Sequence, residues 1–275
     1  MTDHLAQHLC SVPAHRALVR AQEAALYDKI PLTSPILDVG CGDGYFARAT
    51  FSRKIDIGID ASLSALAECA RTNTYTLLLN ASGAKIPFPD ATFATAISNC
   101  VLEHIPDIDQ ALCEISRVLK HGGLFVGTMV TDQLTSLLGI PRVLQSIGLT
   151  HAADAYATWF NRKARHYHML SPTEWSARLA NAGLEVTRSQ YYLGPKATLV
   201  FDLLHYYALP SAVVHRFFRR WLLWQDSRNV VLTAALLRGI CDEGAPEKGA
   251  CVFVTAVRKA DSLLTTNRAA NYRTR

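Results

Sequence analysis

The sequence predicts an α/β fold with a seven-stranded, mostly parallel sheet, helices on both faces of the sheet and a helical cap formed by two insertions. Short β-branched runs alternate with helical patterns through the first half of the chain, which is typical of parallel strands joined by helices. With 275 residues and 49% hydrophobic side chains, the chain can bury a large core. The alternation stops in two long stretches, 131–170 and 194–248, which are too long for simple connections and predict the cap.

The first half of the chain predicts five strands and three helices. The strands are expected at 36–39, 55–59, 75–79, 93–98 and 124–130, and the helices at 45–50, 62–71 and 108–119. We expect Gly122 and Gly123 to end the third helix, since glycine is favoured just past a helix C-terminus.

The second half adds one helix and two strands to the predicted core. Ser171 with Pro172 and Glu174 has the pattern of a helix start, and Gly183 predicts the end of that helix. The strands are expected at 184–193 and 251–257.

Charge and cysteine content exclude several classes of protein. The formal net charge of +5 is too small to indicate nucleic-acid binding by itself. Seven cysteines without a C-x-x-C pair suggest neither a disulfide framework nor a thiolate zinc site, so a reducing compartment is expected.

Hydropathy predicts a cytoplasmic protein, with peripheral contact at a membrane left open. The first residues carry Asp3 and His4 where a signal peptide would be apolar. The longest apolar stretch, 197–214, is interrupted by Asp202 and Pro210 and falls short of a membrane span.

A glycine turn follows the first predicted strand. Gly40-Cys41-Gly42-Asp43-Gly44 can aim backbone amides at a ligand, but Tyr45 stands where a dinucleotide fingerprint needs its third glycine. Asp60 lies at the end of the next strand, where a carboxylate can accept hydrogen bonds from both ribose hydroxyls. The pattern favours a nucleoside site over its alternative, a surface turn with an aspartate cap.

These residues resemble a known family. Ile36-Leu37-Asp38-Val39-Gly40-Cys41-Gly42-Asp43-Gly44 resembles motif I of the class I S-adenosylmethionine-dependent methyltransferases. Further segments resemble the small-molecule branch that includes quinone-biosynthetic methyltransferases: Ile86-Pro87-Phe88-Pro89-Asp90, Leu102-Glu103-His104-Ile105-Pro106-Asp107 and Arg117-Val118-Leu119-Lys120-His121-Gly122-Gly123. The resemblance implies a Rossmann-like fold, S-adenosyl-L-methionine as cofactor and a methyltransferase enzyme.

The pattern along the chain predicts an order of segments. They are an N-terminal helical segment (1–33), a cofactor-binding core (34–130), a cap insertion (131–170), a core helix and strand (171–193), a second, aromatic and basic cap insertion (194–248), a last core strand (249–260) and a flexible tail (261–275).

Carried over residue by residue, the resemblance implies a cofactor site. The methionine end and sugar are expected near Asp38, Gly40, Cys41, Gly42 and Gly44, the ribose hydroxyls on Asp60, the adenine beside Ala61 and Leu63, and the methyl group near Ser98, Asn99 and Cys100. The adenine amino group is expected at Ser82 and Gly83, or at Asn80.

His104 and Asn99 are the catalytic candidates. His104 follows the fourth strand and has an ordinary pKa near neutrality, so it can serve as a base for a hydroxyl acceptor, or it can pack the loop and orient the cofactor. No metal is expected, because Cys100 replaces the third ligand that would join Glu103 and His104. Cys100 itself is expected to be a packed thiol rather than a nucleophile, since no cationic neighbour is visible in the sequence.

The predicted function is methyl transfer to a small molecule, with oxygen slightly favoured over nitrogen or carbon and an apolar acceptor suggested by the insertions. The alternatives are an RNA or other nucleic-acid methyltransferase and a non-catalytic S-adenosylmethionine-binding protein. Nucleic acid is disfavoured because Ser98-Asn99-Cys100-Val101 lacks the proline typical of base-amino methyltransferases.

The insertions carry aromatic and basic residues with several interpretations. They are Arg162, Lys163, Arg165, His166 and His168 in the first insertion, and Tyr206, Tyr207, Arg216, Arg219 and Arg220 in the second, with Tyr191 and Tyr192 between them. The second insertion can contact a membrane peripherally, form a homodimer, cover an apolar substrate pocket or simply pack as a cap.

Overall fold

A single mixed sheet forms the centre of the molecule. The computed structural model describes residues 2–218, 221 and 227–259. The strands are Ile36–Val39 (β1), Ile55–Asp60 (β2), Tyr75–Asn80 (β3), Phe93–Asn99 (β4), Leu119–Val130 (β5), Leu184–Tyr192 (β6) and Cys251–Arg258 (β7).

Helices flank the sheet and build the cap. They are His4–Leu9 (α1), Ala14–Tyr27 (α2), Tyr45–Thr50 (α3), Leu63–Cys69 (α4), Ile108–Val118 (α5), Leu134–Leu137 (α6), Gly139–Ser146 (α7), Thr150–Ala164 (α8), Pro172–Asn181 (α9), Pro195–Tyr207 (α10), Leu209–Phe218 (α11) and Ser227–Cys241 (α12), with short 3-10 turns at Ala70–Thr72 and Leu102–His104.

The strand order confirms the predicted Rossmann-like sheet. The strands lie in the order β3-β2-β1-β4-β5-β7-β6. β1 to β5 pair in parallel and β7 is antiparallel to both of its neighbours. The order reverses between β1 and β4, and such a reversal opens a crevice at the carboxyl ends of the strands.

Apolar side chains cover both faces of the sheet. β1 is buried along its whole length, as expected for a strand with helices on both sides. One cluster joins Tyr27 and Phe253, and the other joins Phe93 and Trp175, whose indole donates to the Val130 carbonyl at 3.1 Å. The core therefore fixes the strand ends that form the crevice.

Two predicted helix starts are confirmed at atomic detail. The Ser171 hydroxyl accepts from the Glu174 amide, the Glu174 carboxylate accepts from the Ser171 amide, and Pro172 opens α9. At α4 the Ser62 hydroxyl accepts from the Ala65 amide at 3.3 Å. Hydrogen bonds from the N-cap residues set both boundaries, and such capping residues can be identified from the sequence alone.

The predicted end of α5 is wrong. The helix stops at Val118, and Leu119 already has extended backbone (φ −70°, ψ 143°) because it pairs with Phe93 as the first residue of β5. The register of β5 against β4 shifts after that pair, and Gly122 and Gly123 lie inside the irregular start of the strand. Strand pairing, rather than glycine capping, ends this helix.

The described parts of both insertions contain helices, α6 to α8 and α10 to α12. No described helix is long and apolar enough to cross a membrane. Arg219, Arg220 and the predicted tail at 261–275 lie outside the described residues. The assignment of a role to each segment stays a prediction.

Candidate active site

A cavity of about 710 Å³ opens at the carboxyl ends of β1, β2 and β4. Its size falls in the range of small-molecule sites, about 300–1,000 Å³. Most of the predicted site residues line it: Asp38, Gly40, Cys41, Gly42, Asp60, Ala61, Ser82, Gly83, Asn99, Cys100 and His104. Residues far apart in sequence therefore meet in one place, although their individual roles stay predictions.

Four predicted residues lie outside this lining. Gly44 immediately precedes α3 with φ +74°, and a Cβ there would lie 2.7 Å from the Cys69 sulfur, so close packing requires glycine at this position. The Ser98 hydroxyl is buried and donates to the Val39 carbonyl at 3.0 Å. The Leu63 side chain is 69% exposed on α4. Asn80 donates its amide to the Asp60 carbonyl at 2.9 Å, which leaves Ser82 as the cavity residue of that pair.

The glycine turn needs glycine at position 40. Gly40 has φ +81°, and a Cβ would lie 2.4 Å from Cγ1 of Val101. The amides of Gly40 and Cys41 donate to the Ile59 carbonyl at 2.8 and 3.0 Å, which fastens the turn to β2. The turn is thus held against the residue that precedes Asp60.

Asp60 is positioned by two backbone amides. Its Oδ2 accepts from the Gly42 amide at 2.9 Å and its Oδ1 accepts from the Ser62 amide at 2.8 Å. Each carboxylate oxygen can accept a further hydrogen bond. Asp60 can therefore stay fixed to the turn and still accept from a diol in the cavity.

Asp38 is buried behind the turn and accepts from the Tyr75 hydroxyl at 2.6 Å. Burial raises the pKa of Asp38 to about 7, although the Tyr75 hydrogen bond acts in the opposite direction. Asp38 is thus able to change its protonation state near neutral pH.

A buried glutamate from α2 organises the end of β4. Glu23 is fully buried, and its Oε2 accepts from the Asn99 amide and from the Arg20 guanidinium, both at 2.6 Å. Its Oε1 accepts from the Tyr192 hydroxyl at 2.7 Å. The Asn99 oxygen accepts in turn from the Thr128 hydroxyl at 2.8 Å. Both polar ends of the Asn99 side chain are therefore engaged by protein.

The sequence interpretation missed this glutamate. Residues 20, 23 and 27 share one face of α2 with the buried Ala17 and Ala24. A charged pair on an otherwise apolar helix face is the signal that could have found it.

Cys100 touches the same network. Its thiol donates to Glu23 Oε1 at 3.1 Å, and its backbone has φ +51°. A hydrogen bond with Cys251, burial and the negative charge of Glu23 hold the pKa of the Cys100 thiol well above its usual value, although Arg20 acts in the opposite direction. The expectation that no cation lies near was wrong, but the raised pKa opposes a thiolate nucleophile.

Two arginines of α2 reach the cavity beside the glycine turn. Arg16 forms an ion pair with Asp43 at 3.3 Å, and the Trp221 indole donates to the same carboxylate at 3.2 Å. Burial acts to raise the pKa of Asp43, but Arg16 and the Tyr45 amide lower it below its usual value. Arg16 and Arg20 together provide cationic lining that sequence reasoning did not identify.

His104 lies at the cavity with a fixed ring orientation. Its Nδ1 is 3.1 Å from the Arg165 carbonyl oxygen, which can only accept, so Nδ1 carries the hydrogen. Its ring stacks on His166 with centroids 5.2 Å apart. Desolvation lowers the pKa of His104 below its usual value of 6.5. A neutral ring with a proton on Nδ1 leaves the Nε2 lone pair available.

Glu103 is buried beside His104 and connects the first insertion to the site. Its carbonyl oxygen accepts from the Tyr167 and His168 amides at 2.9 and 3.2 Å. Burial raises the pKa of its carboxyl group to about 8. Among the residues that the structure describes, no three His, Cys, Asp or Glu side chains come together as a metal site.

The fold and the site define a Rossmann-like enzyme that binds a nucleoside-type cofactor. Residues 37–127 match the model of a methyltransferase domain. An uncharacterized methyltransferase of Mycobacterium bovis is 36% identical over 160 residues, which cover 56% of this chain and 75% of that protein. The mitochondrial arginine-hydroxylase NDUFAF5 of Homo sapiens is 35% identical over 109 residues, covering 38% of this chain and 31% of that protein.

A solved structure shares the fold. It is a geranyl diphosphate methyltransferase in complex with S-adenosylmethionine, with a TM-score of 0.54 and 16% identity over 89% of this chain and 90% of that one. The chain belongs to the class I S-adenosylmethionine-dependent methyltransferases, and it is an enzyme whose cofactor is S-adenosylmethionine.

The cavity residues fit that cofactor. Asp60 offers acceptors for a ribose diol, and Ala61 and Ser82, the predicted adenine contacts, line the same cavity. Arg16 and Arg20 would hold the methionine carboxylate. The polar groups of the cofactor therefore find complementary chemistry in the described lining.

Proposed function

We propose that this enzyme methylates an oxygen of a small, apolar acceptor such as a phenol. The observation that carries the proposal is the hydrogen bond from His104 Nδ1 to the Arg165 carbonyl. It fixes the tautomer so that Nε2, the unprotonated nitrogen, can take the proton of an acceptor hydroxyl.

Bound S-adenosylmethionine supplies an electrophilic methyl group, so the protein need only bind, align and deprotonate the acceptor. His104 accepts the hydroxyl proton at Nε2. Stacking on His166 and the bond to Arg165 hold the ring, so the base meets the acceptor in one orientation. Glu23 fixes Asn99 at the cavity wall and keeps its amide from turning.

The small-molecule assignment rests on the shape and covering of the site. The cavity is a concave chamber, and Arg165, at the end of α8, belongs to its lining together with His215 of α11. Both insertions thus reach the cavity and can exclude water from it. The quinone-type acceptors suggested by the sequence resemblance remain part of this proposal.

The test is methyl transfer to a series of phenols of increasing apolarity, with wild type and His104→Gln compared. We expect His104→Gln to lower kcat by about 100-fold with KM for S-adenosylmethionine unchanged. His151→Gln, an exposed histidine on α8, serves as the matched control. Equal kcat for His104→Gln and wild type, or methylation of amines but of no hydroxyl, would exclude the proposal.

A further inference from the structure

Exposed apolar side chains are concentrated in the cap. Among the described residues, fifteen large apolar side chains are exposed. Only two of them, Leu63 and Leu77, lie in the segment 34–130 that forms the cofactor-binding part of the fold; the others lie in the two insertions. Soluble surfaces carry scattered apolar residues, whereas concentration in one part of a molecule marks a binding surface.

Three consecutive helices carry most of this apolar surface. α10 packs against α11 and α12, so the three helices form one layer. We define the cap face by the exposed residues Leu203, Tyr207, Val213, Phe217, Phe218, Val231, Leu232 and Leu236. Tyr207 is 83% exposed and Phe217 is 73% exposed, so neither finds a partner within the described fold.

The exposed charged residues on the described parts of these helices are basic. Asp202 is the only acidic residue in α10, α11 and α12, and it is fully buried, accepting from the Ile140 amide at 3.0 Å and the Tyr156 hydroxyl at 3.1 Å. The exposed charged side chains on the described parts of the three helices are Lys196, Arg216 and Arg238, and Arg238 forms an ion pair with the exposed Asp3 carboxylate at 2.7 Å. Lys196 and Arg216 therefore supply the positive charge beside the aromatic rings of the cap face, and the described parts of its own helices carry no exposed carboxylate.

We propose that the cap face docks on an anionic lipid surface. Aromatic and aliphatic side chains enter the boundary between headgroups and acyl chains, and basic residues beside them are attracted by the negative surface. A second copy of the chain is a poorer occupant, because symmetric pairing would bring the basic residues of two cap faces together.

Helix α11 connects the cap face to the cavity. Phe217 lies on the cap face, while His215 on the same helix lines the cavity and its Nε2 lies 3.0 Å from Glu68 Oε2. A lipid surface held at α11 is therefore adjacent to the cavity. This consequence rests on the proposed function, since it concerns an apolar acceptor that dissolves in lipid.

The experiment is sedimentation of the full chain with two kinds of vesicle, pure phosphatidylcholine and phosphatidylcholine containing phosphatidylglycerol. We expect binding to the anionic vesicles that weakens at high salt. The double variant Phe217→Ser/Phe218→Ser should lower the partition coefficient by about tenfold or more. The control is Leu77→Ser, which makes a similar change at an exposed leucine of β3, away from the cap face. This variant should leave the partition coefficient unchanged.

Three results would overturn the proposal: wild type that stays in solution with anionic vesicles at low salt, a double variant that binds like wild type, or equal losses in the double variant and Leu77→Ser. Self-association that the double variant abolishes, without vesicle binding, would assign the face to a second copy. Calorimetric binding of S-adenosylmethionine checks that each variant is folded. Vesicle binding requires no acceptor, so its loss is distinguishable from failure of methyl transfer to phenols.

Discussion

Glu23 and Asn99 are joined by a buried hydrogen bond of 2.6 Å, although they are 76 residues apart in sequence. The bond connects the N-terminal helix α2 to the end of β4, where the methyl group is expected. Glu23 also accepts from Arg20, Tyr192 and the Cys100 thiol, so one buried carboxylate fixes four side chains.

Replacing Glu23 should destabilise the protein strongly. Glu23→Gln removes the negative charge and leaves the Arg20 guanidinium without its partner, which costs about 3–5 kcal/mol when a pair is buried. Chemical denaturation monitored by circular dichroism measures this loss. Glu185→Gln is the control, since that side chain is 66% exposed and 4.0 Å from Lys259. A loss below about 1 kcal/mol for Glu23→Gln would contradict the structural role.

Gly40→Ala should cost more than Gly122→Ala. Both glycines have left-handed backbone, with φ +81° and +73°. A Cβ at residue 40 meets Val101, whereas nothing lies within 4 Å of a Cβ at residue 122. Gly122→Ala should therefore pay only the backbone cost of about 1–2 kcal/mol. Thermal unfolding compares the two, and equal losses would show that the contact with Val101 is not restrictive.

Glu103 should make stability depend on pH. Its pKa is raised to about 8 in the folded protein from an ordinary value of 4.5, so the folded state retains a proton that the unfolded state releases between these values. Stability therefore falls as pH rises through this window. Glu103→Gln should remove this dependence and raise the free energy of unfolding at pH 8 by on the order of 3 kcal/mol.

The measurement is denaturant unfolding of wild type and Glu103→Gln at a series of pH values. The difference between the two proteins isolates Glu103 from the other titrating groups. Glu247→Gln, on an exposed loop, should track wild type throughout. A constant difference between wild type and Glu103→Gln across the window would refute the raised pKa.

The pKa of His104 should determine how activity declines at acid pH. Because desolvation lowers the pKa of His104 below 6.5, its ring stays neutral at pH 7, and kcat should decline only below the ordinary imidazole value. Initial rates with a phenol acceptor measure this profile. A decline centred above pH 7 would point to a different group, because His104 would already be neutral there.

The sequence predicted the core well where local chemistry decides structure. β1 and α3 have the bounds expected from an apolar run followed by glycines, and the Ser171 cap is in place. The end of α5 was wrong because Leu119 pairs with Phe93, a contact between strands that local pattern does not contain.

The cofactor side of the site was also predictable, because its residues fall on one contiguous motif and on the end of the next strand. Gly40, Gly42 and Asp60 line the cavity as expected. Arg20 and Glu23 were missed because their role depends on how α2 packs over β4, and no local motif marks that packing.

Calorimetric titration with S-adenosylmethionine and S-adenosylhomocysteine tests the central claim most directly. We expect saturable binding of both by wild type and by Asp154→Ala, an exposed control on α8. Asp60→Ala and Asp60→Asn should weaken binding by at least about tenfold because the ribose diol loses its acceptor, and circular dichroism serves as the control for folding. Absence of binding by wild type, or binding by both Asp60 variants as tight as by wild type, would contradict the account of the site.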